Sequence, residues 1–332
     1  MRRIFKRLGI ALGAGTALIA AGGTWVWAAQ PWAPPIELVE PGPGGTAVRQ
    51  PGLVGNFYSG DGDRQHPAIL LLGGSEGGLG AAVDGQARLL AKEGFAVLAL
   101  AYYRLPGQPE RFEQIPLETF TSALDWLKAQ SAVDPKRLAI MGTSKGAEAA
   151  LLVASRRPDV SATIASVPSQ VAWQGFDWSF APVKTSSWSE NGQPVPYLPI
   201  TTVGWNGDIY GPSLADAAKY PEAAIPVERI AGPVLLLCGE EDRLWPSCAM
   251  ARAAKARREK TSSSLQTVLL AYQDAGHFGV GPPLPAAQEV PAMITMFGGT
   301  KEGNLAARAD GWPRTIAFLK QALATTAEVD PR

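Results

Sequence analysis

The chain has 332 residues and a mass of 35.0 kDa, with 46% hydrophobic and 18% charged residues. That excludes a disordered chain, a collagen and a coiled coil, and leaves ample length for a large core. Lysine plus arginine and aspartate plus glutamate both number 30, so no basic excess exists to neutralise nucleic-acid phosphates. With two cysteines and two histidines, the chain offers no zinc ribbon and no four-ligand structural metal site. Neither a metal nor an organic cofactor is expected.

Residues 1–29 read as a separate object. Arg2, Arg3, Lys6 and Arg7 precede an Ala- and Gly-rich apolar run, and no acid occurs before Glu37. A basic start, an apolar middle and small residues before a cut after Ala28 describe an export signal. Arg2-Arg3 followed by Ile4-Phe5-Lys6 is a partial match to a bacterial twin-arginine signal. The alternative is an uncleaved anchor, since residues 10–29 are just long enough to span a bilayer. The expected location is therefore exported, periplasmic or secreted, or membrane-attached through residues 1–29 alone. Losing residues 1–28 removes four cations and no acid, which leaves a mildly acidic body.

Residues 30–60 form a Pro- and Gly-rich arm, with a short antiparallel strand over 53–59. The main domain, 61–325, then becomes regular. Apolar strands are expected at 68–72 (AILLL), 95–100 (FAVLAL), 137–141 (RLAIM), 161–167, 233–238 (PVLLLC) and 265–272. Helices are expected at 81–93, 116–130, 145–157, 247–260 and 312–325, before a tail over 326–332. Near-continuous apolar strands alternating with helices imply a mostly parallel sheet covered on both faces.

Residues 169–227 break this rhythm. Trp173, Phe176, Trp178, Phe180, Trp188, Tyr197, Trp205 and Tyr210 fall there with no clean period. Such an insertion reads as a lid, and the aromatics argue against disorder. They are lid core, part of the wall of an apolar substrate pocket, or both.

Gly142-Thr143-Ser144-Lys145-Gly146 lies between a strand and an Ala-rich helix. This is the context of a nucleophile elbow, a strained turn that exposes the Ser hydroxyl at a helix N-terminus. Gly73-Gly74-Ser75-Glu76-Gly77 matches the same pattern but runs on into Gly78-Leu79-Gly80, a loop rather than a helix. The two matches therefore take two roles. Ser144 is the candidate nucleophile, and the N–H groups of Lys145 and of Ser75 or Glu76 are the candidate oxyanion hole.

A serine needs a base, and only His66 and His277 exist. The chain order nucleophile, acid, histidine selects His277. Of Glu240, Glu241 and Asp242 after the fifth core strand, Asp242 has the expected spacing as the orienting acid. Asp274 is the spare candidate and reads as a turn residue. The Lys145 side chain reads as solvated, with contact to an anionic substrate group as the alternative. Cys238 and Cys248 read as two small buried apolar residues in preference to a disulfide.

With these residues in place, the sequence resembles the acyl-CoA thioesterase and bile acid-CoA:amino acid N-acyltransferase family in its C-terminal catalytic domain. The resemblance rests on residues 89–103 (LLAKEGFAVLALAYY), 116–120 (PLETF), 232–245 (GPVLLLCGEEDRLW), Gly276-His277 and the late Gly298-Gly299…Trp312. It covers about residues 67–323 in order. It implies an α/β-hydrolase fold, a doubly wound parallel sheet with an aromatic-rich lid insertion. It also implies a nucleophile, acid and histidine that fall on Ser144, Asp242 and His277. In that family, Ser goes with hydrolysis and Cys with transfer to amino acids. Animal members of the family carry an N-terminal β-sandwich of more than a hundred residues; with fewer than forty residues between the export segment and the first core strand, that domain is expected to be missing or vestigial. The expected activity is hydrolysis of a small-molecule acyl thioester through an acyl-enzyme. The alternatives are an exported carboxylesterase or dienelactone-hydrolase-like enzyme, an acyl-CoA:amine N-acyltransferase, and a catalytically silent binding protein.

Overall fold

A computed structural model describes residues 33–324, apart from 61, 63, 203, 205–207, 262–265 and 285–288. The expected export segment, the tail and Trp205 lie outside the described residues.

The chain opens with β1 (Gly45–Gln50) and β2 (Leu53–Tyr58), then β3 (His66–Leu72), α1 (Ala81–Lys92) and β4 (Ala96–Ala101). A two-residue β5 (Ile115–Pro116) leads into α2 (Leu117–Lys128), β6 (Val133–Thr143), α3 (Lys145–Ala154) and β7 (Val160–Ser166). The insertion contributes β8 (Trp188–Glu190), β9 (Gln193–Pro194) and the short α4 (Gly211–Leu214). The chain closes with β10 (Val234–Gly239), α5 (Ser247–Thr261), β11 (Thr267–Tyr272) and α6 (Lys301–Ala322).

The main sheet has eight strands in the order β1-β2-β4-β3-β6-β7-β10-β11. From β4 to β11 every neighbouring pair is parallel, whereas β2 runs antiparallel to β4 and to β1. Alternation along β3 shows how both faces are filled. Leu70 and Leu72 join the core shared with α2, α3 and α5, while Ile69 and Leu71 join the core shared with α1 and α6. Each such leucine contributes about 1.5–3 kcal/mol by leaving water. The doubly wound parallel sheet expected from sequence is the one observed.

Three local expectations are corrected. Residues 45–50, expected to be arm, form β1; only Val48 of that strand is buried, so no two-residue period marks it. The closing helix begins at Lys301 rather than 312. Thr300 caps it by accepting the Gly303 N–H, and the apparent breakers Gly303, Gly311 and Pro313 lie inside it. Gly303 is there because a Cβ would stand 2.2 Å from the Asp274 carbonyl oxygen. The insertion is also less irregular than expected: β5, β8 and β9 make a small second sheet, with the β8–β9 turn at Asn191-Gly192, both at positive φ. Its aromatic residues are mostly core, with Trp188 and Trp173 fully buried. Among the described residues, Phe180 is the exposed aromatic of the insertion, at 74%.

Candidate active site

Ser144 is the single residue between β6 and α3. Its backbone is left-handed, with φ 57° and ψ −121°, a conformation that costs about 1–3 kcal/mol in a non-glycine residue. The surroundings hold it there. Its N–H donates to the Ser166 carbonyl at 2.9 Å, and its carbonyl accepts from Ala147 and Glu148 at 2.9 and 3.1 Å. A Cβ on Gly142 would stand 2.0 Å from the Gly146 oxygen, and one on Gly146 would stand 2.1 Å from the Gly73 oxygen. Both flanking glycines are thus demanded by close backbone approach.

His277 follows β11 and Asp242 follows β10, so both stand with Ser144 at the carboxyl edge of the parallel strands. The His277 Nδ1–Asp242 Oδ2 distance is 2.9 Å, with both side chains almost fully buried. Asp242 Oδ1 also accepts the Leu244 N–H at 3.0 Å. An ionised carboxylate can only accept, so the Nδ1 contact places a proton on Nδ1 and leaves Nε2 as the basic nitrogen. The ring sits among Trp245, Phe278 and Phe297, with centroids 5.9–6.2 Å away. The other carboxylates stand apart: Glu240 pairs with Arg252, and Asp274 is an exposed turn residue. His66 is buried beside Gly94 instead, with Nδ1 3.0 Å from the Gly94 oxygen.

The loop over residues 73–80 faces the elbow. A Cβ on Gly74 would lie 3.5 Å from the Ser144 Cβ. The Glu76 side chain folds back into the loop, where Oε1 accepts the Gly74 N–H at 3.0 Å. Burial pushes this carboxyl above its usual 4.5, against the pull of the loop N–H groups, Glu76's own among them, and of His277. The Tyr102 hydroxyl lies 2.9 and 2.5 Å from the Gly73 and Gly74 carbonyl oxygens. The Ser75 carbonyl accepts the Trp178 indole N–H at 3.2 Å.

The raised carboxyl value yields a prediction with a definite sign. The neutral form is the one the fold prefers. Its contribution to stability is complete below the unfolded value of 4.5 and is lost as pH rises through the higher folded value. Glu76→Gln keeps the acceptor for Gly74 and cannot ionise. Its stability relative to the parent should therefore climb with pH above about 4.5, read as Tm against pH. A difference that stays flat with pH would sink this account.

Two expectations are overturned here. Lys145 is not solvated and does not reach outward to an anion. It is 2% exposed, and Nζ donates to Glu148 Oε2 at 2.9 Å and Ser187 Oγ at 2.8 Å. The cause is packing from distant parts of the chain: Trp188 of the insertion and Phe112, just ahead of β5, close over the ammonium, 5.9 and 5.4 Å from their ring centroids. Glu148 Oε1 takes the Trp173 N–H at 2.9 Å and the Trp188 indole N–H at 2.6 Å. Sequence reasoning missed Glu148; the available signal was a Lys and a Glu three apart in an otherwise apolar helix.

Cys238 and Cys248 are not separate apolar residues but a disulfide, with Cα atoms 5.1 Å apart. Helix α5 packs back against β10, which brings together the two ends of the loop containing Asp242. Closing a loop of about ten residues contributes about 2–3 kcal/mol by the chain-entropy estimate. Reductant should therefore lower the Tm of the parent by several degrees and leave that of a Cys238→Ala/Cys248→Ala variant unmoved. An unmoved parent, with free thiols verified by labelling, would contradict it.

Among the described residues, no three His, Cys, Asp or Glu side chains stand close enough to hold a metal ion. Residues 115–325 match the family model described as BAAT / Acyl-CoA thioester hydrolase C terminal. The sequence is 28% identical over 295 residues to mouse (Mus musculus) acyl-coenzyme A thioesterase 6, covering 86% of this chain and 67% of that protein. It is 29% identical over 295 residues to the mouse bile acid-CoA:amino acid N-acyltransferase, with the same coverage. The chain thus spans about two thirds of these relatives. Among solved structures, a thermophilic esterase from Thermogutta terrifontis superposes with a TM-score of 0.55 at 16% identity, covering 88% of this chain and 99% of that one. That likeness speaks to the fold alone.

Proposed function

Since the chain belongs to the BAAT / acyl-CoA thioester hydrolase C-terminal family and has the α/β-hydrolase fold, we propose that it is a serine hydrolase cleaving acyl thioesters through an acyl-enzyme. At the coarser level it is a hydrolase acting on thioester or ester bonds. The observation that carries the finer reading is the strained Ser144 at the same sheet edge as the buried Asp242–His277 pair.

The chemistry follows from that arrangement. Ser144 Oγ attacks the acyl carbonyl carbon while His277 Nε2 takes its proton. Asp242 holds the Nδ1 tautomer and stabilises the imidazolium. The carbonyl electron pair moves onto oxygen, where the N–H groups of Lys145 and Ser75 meet it. Lys145 is the first residue of α3, so its N–H has no partner within the helix. Ser75 is preferred to Glu76 because the Glu76 carboxyl already engages the N–H groups of Gly74 and of Glu76 itself. The tetrahedral intermediate collapses, and the imidazolium proton leaves with the thiol. Water, deprotonated by His277, then attacks the acyl-enzyme and releases the carboxylic acid. The oxyanion donors supply the largest electrostatic share of such catalysis, about 10²–10³ in kcat for one of them.

A second reading has its own support. The disulfide fits an oxidising compartment, in keeping with removal or retention of an export segment over residues 1–29. An exported enzyme would meet oxyesters more readily than acyl-CoA. A panel of acyl-CoAs and p-nitrophenyl esters of matched chain length separates the two. The thioesterase reading expects higher kcat/KM on acyl-CoAs. Turnover of the esters alone would replace it with an exported esterase, and a glycine or taurine conjugate formed in their presence would point to transfer.

A further inference from the structure

The arm ahead of β1 is built into the loop that faces Ser144. Leu38 and Leu79 form a parallel bridge: the Leu79 N–H donates to the Glu37 carbonyl at 2.7 Å, and the Val39 N–H donates to the Leu79 carbonyl at 3.0 Å. The approach is so close that a Cβ on Gly78, whose φ is +65°, would stand 2.1 Å from the Glu37 oxygen. Arg104 grips the same loop from another part of the chain. One guanidinium nitrogen, Nη1, donates to the Pro34 carbonyl of the arm and to the Glu76 carbonyl of the loop, both at 2.9 Å. A Cβ on Gly77, at φ +78°, would stand 2.6 Å from the Arg104 Cδ. Arg104 itself has φ 70°, a left-handed backbone that a non-glycine residue keeps only where its surroundings impose it. The Gly78 N–H donates to the Tyr103 carbonyl at 2.8 Å, so the loop is held along its length.

These contacts converge on the segment that carries Ser75. The arm side chains bury little: Ile36 and Leu38 are 52% and 39% exposed. What the arm supplies is backbone hydrogen bonding to the loop. We propose that Arg104 and arm residues 34–39 are positioning elements that aim the Ser75 N–H at the developing oxyanion, so that the arm is a working part of the catalytic apparatus. This rests on the reading of Ser75 as an oxyanion donor. It also gives the arm a functional boundary. A cut after Ala28 leaves the brace whole, and a cut within residues 34–39 removes it.

The test uses the full chain with Arg104→Ala, Arg104→Lys and Val39→Pro, the last deleting the N–H that reaches Leu79. Ser75→Pro, which deletes the proposed donor, is the control on the underlying reading. The readouts are kcat, KM, Tm and the inhibition constant of a trifluoromethyl ketone substrate analogue, whose adduct with Ser144 carries an oxyanion. A displaced donor weakens the transition state more than the ground state, and misplacement by about 1 Å can cost about 10²-fold. Arg104→Ala and Val39→Pro should each lower kcat about tenfold or more, with KM within about threefold. The ketone should weaken by the same factor as kcat/KM, and Arg104→Lys should recover most of the loss. Should Val39→Pro fail to fold, the two Arg104 variants decide alone. Normal kcat in Arg104→Ala and Val39→Pro beside an inactive Ser75→Pro overturns the proposal and keeps the donor reading. So does a loss of kcat with unchanged ketone affinity. Normal kcat in Ser75→Pro overturns both.

Discussion

Ser144→Ala is expected to lower kcat by about 10⁴- to 10⁶-fold with KM nearly unchanged, leaving a folded protein that a fluorophosphonate no longer labels. The proposed mechanism has Ser144, His277 and Asp242 acting as one unit, which makes the expected loss large, and combining Ser144→Ala with His277→Ala should cost no more than the worse single change. Asp242→Asn tests the unit from its far end. The Asp242 carboxylate lies 2.9 Å from His277 Nδ1. An amide there can present N–H instead and favour the wrong tautomer, for an expected loss of about 10⁴ in kcat. The strained backbone adds a stability readout. Glycine accepts the φ of 57° that Ser144 holds, so Ser144→Gly should be inactive yet more stable by about 1 kcal/mol. More than a hundredth of parental activity in purified Ser144→Ala would remove Ser144 as the nucleophile.

The largest stability effect is expected at Glu148. Its carboxylate is fully buried and accepts from Lys145 Nζ, the Trp173 N–H and the Trp188 indole N–H. Glu148→Ala orphans the two tryptophan N–H groups and leaves the Lys145 cation, still bonded to Ser187 Oγ, without its counter-ion, for an expected cost of about 3–5 kcal/mol in denaturant unfolding. Glu148→Gln keeps an acceptor for the two tryptophan N–H groups and should cost less. In the parent, burial pulls Lys145 below its usual 10.5 while Glu148 pulls back. Without that counter-pull, Glu148→Gln should regain stability as pH rises, because the unfolded chain then holds the proton that the fold disfavours. Restoration by Lys145→Met/Glu148→Leu should be incomplete, since Trp173 and Trp188 would still lack acceptors at about 1–3 kcal/mol each. A Glu148→Ala cost below about 1 kcal/mol would show that the pair is not what ties the insertion to α3.

This pair also marks the limit of what was legible in the residues alone. The Gly-x-Ser-x-Gly elbow was readable because its constraint is local: Gly142 and Gly146 lack a Cβ for reasons contained within a few residues and one neighbouring strand. His277 followed from chain order and from there being two histidines. Lys145 was misread as solvated because nothing within its own turn says that Trp188, over forty residues later, will cover it. The start of α6 was missed for a related reason. Gly303 and Pro313 are breakers by local propensity, yet packing against Asp274 and β11 outweighs that preference.

The sequence by itself determined the alternation of apolar strands and helices, the strained turn at Ser144, and the candidate set Ser144, Asp242 and His277 in that chain order. Each of these is set by short-range stereochemistry and hydrophobic period. Only the tertiary structure decided that Cys238 and Cys248 are joined, that Lys145 and Glu148 share a dry site, and that the arm and Arg104 clasp the loop bearing Ser75. Those outcomes depend on which distant segments meet. A thiol's partner and a charge's solvation are properties of the packed neighbourhood, to which residues far apart in the chain contribute equally.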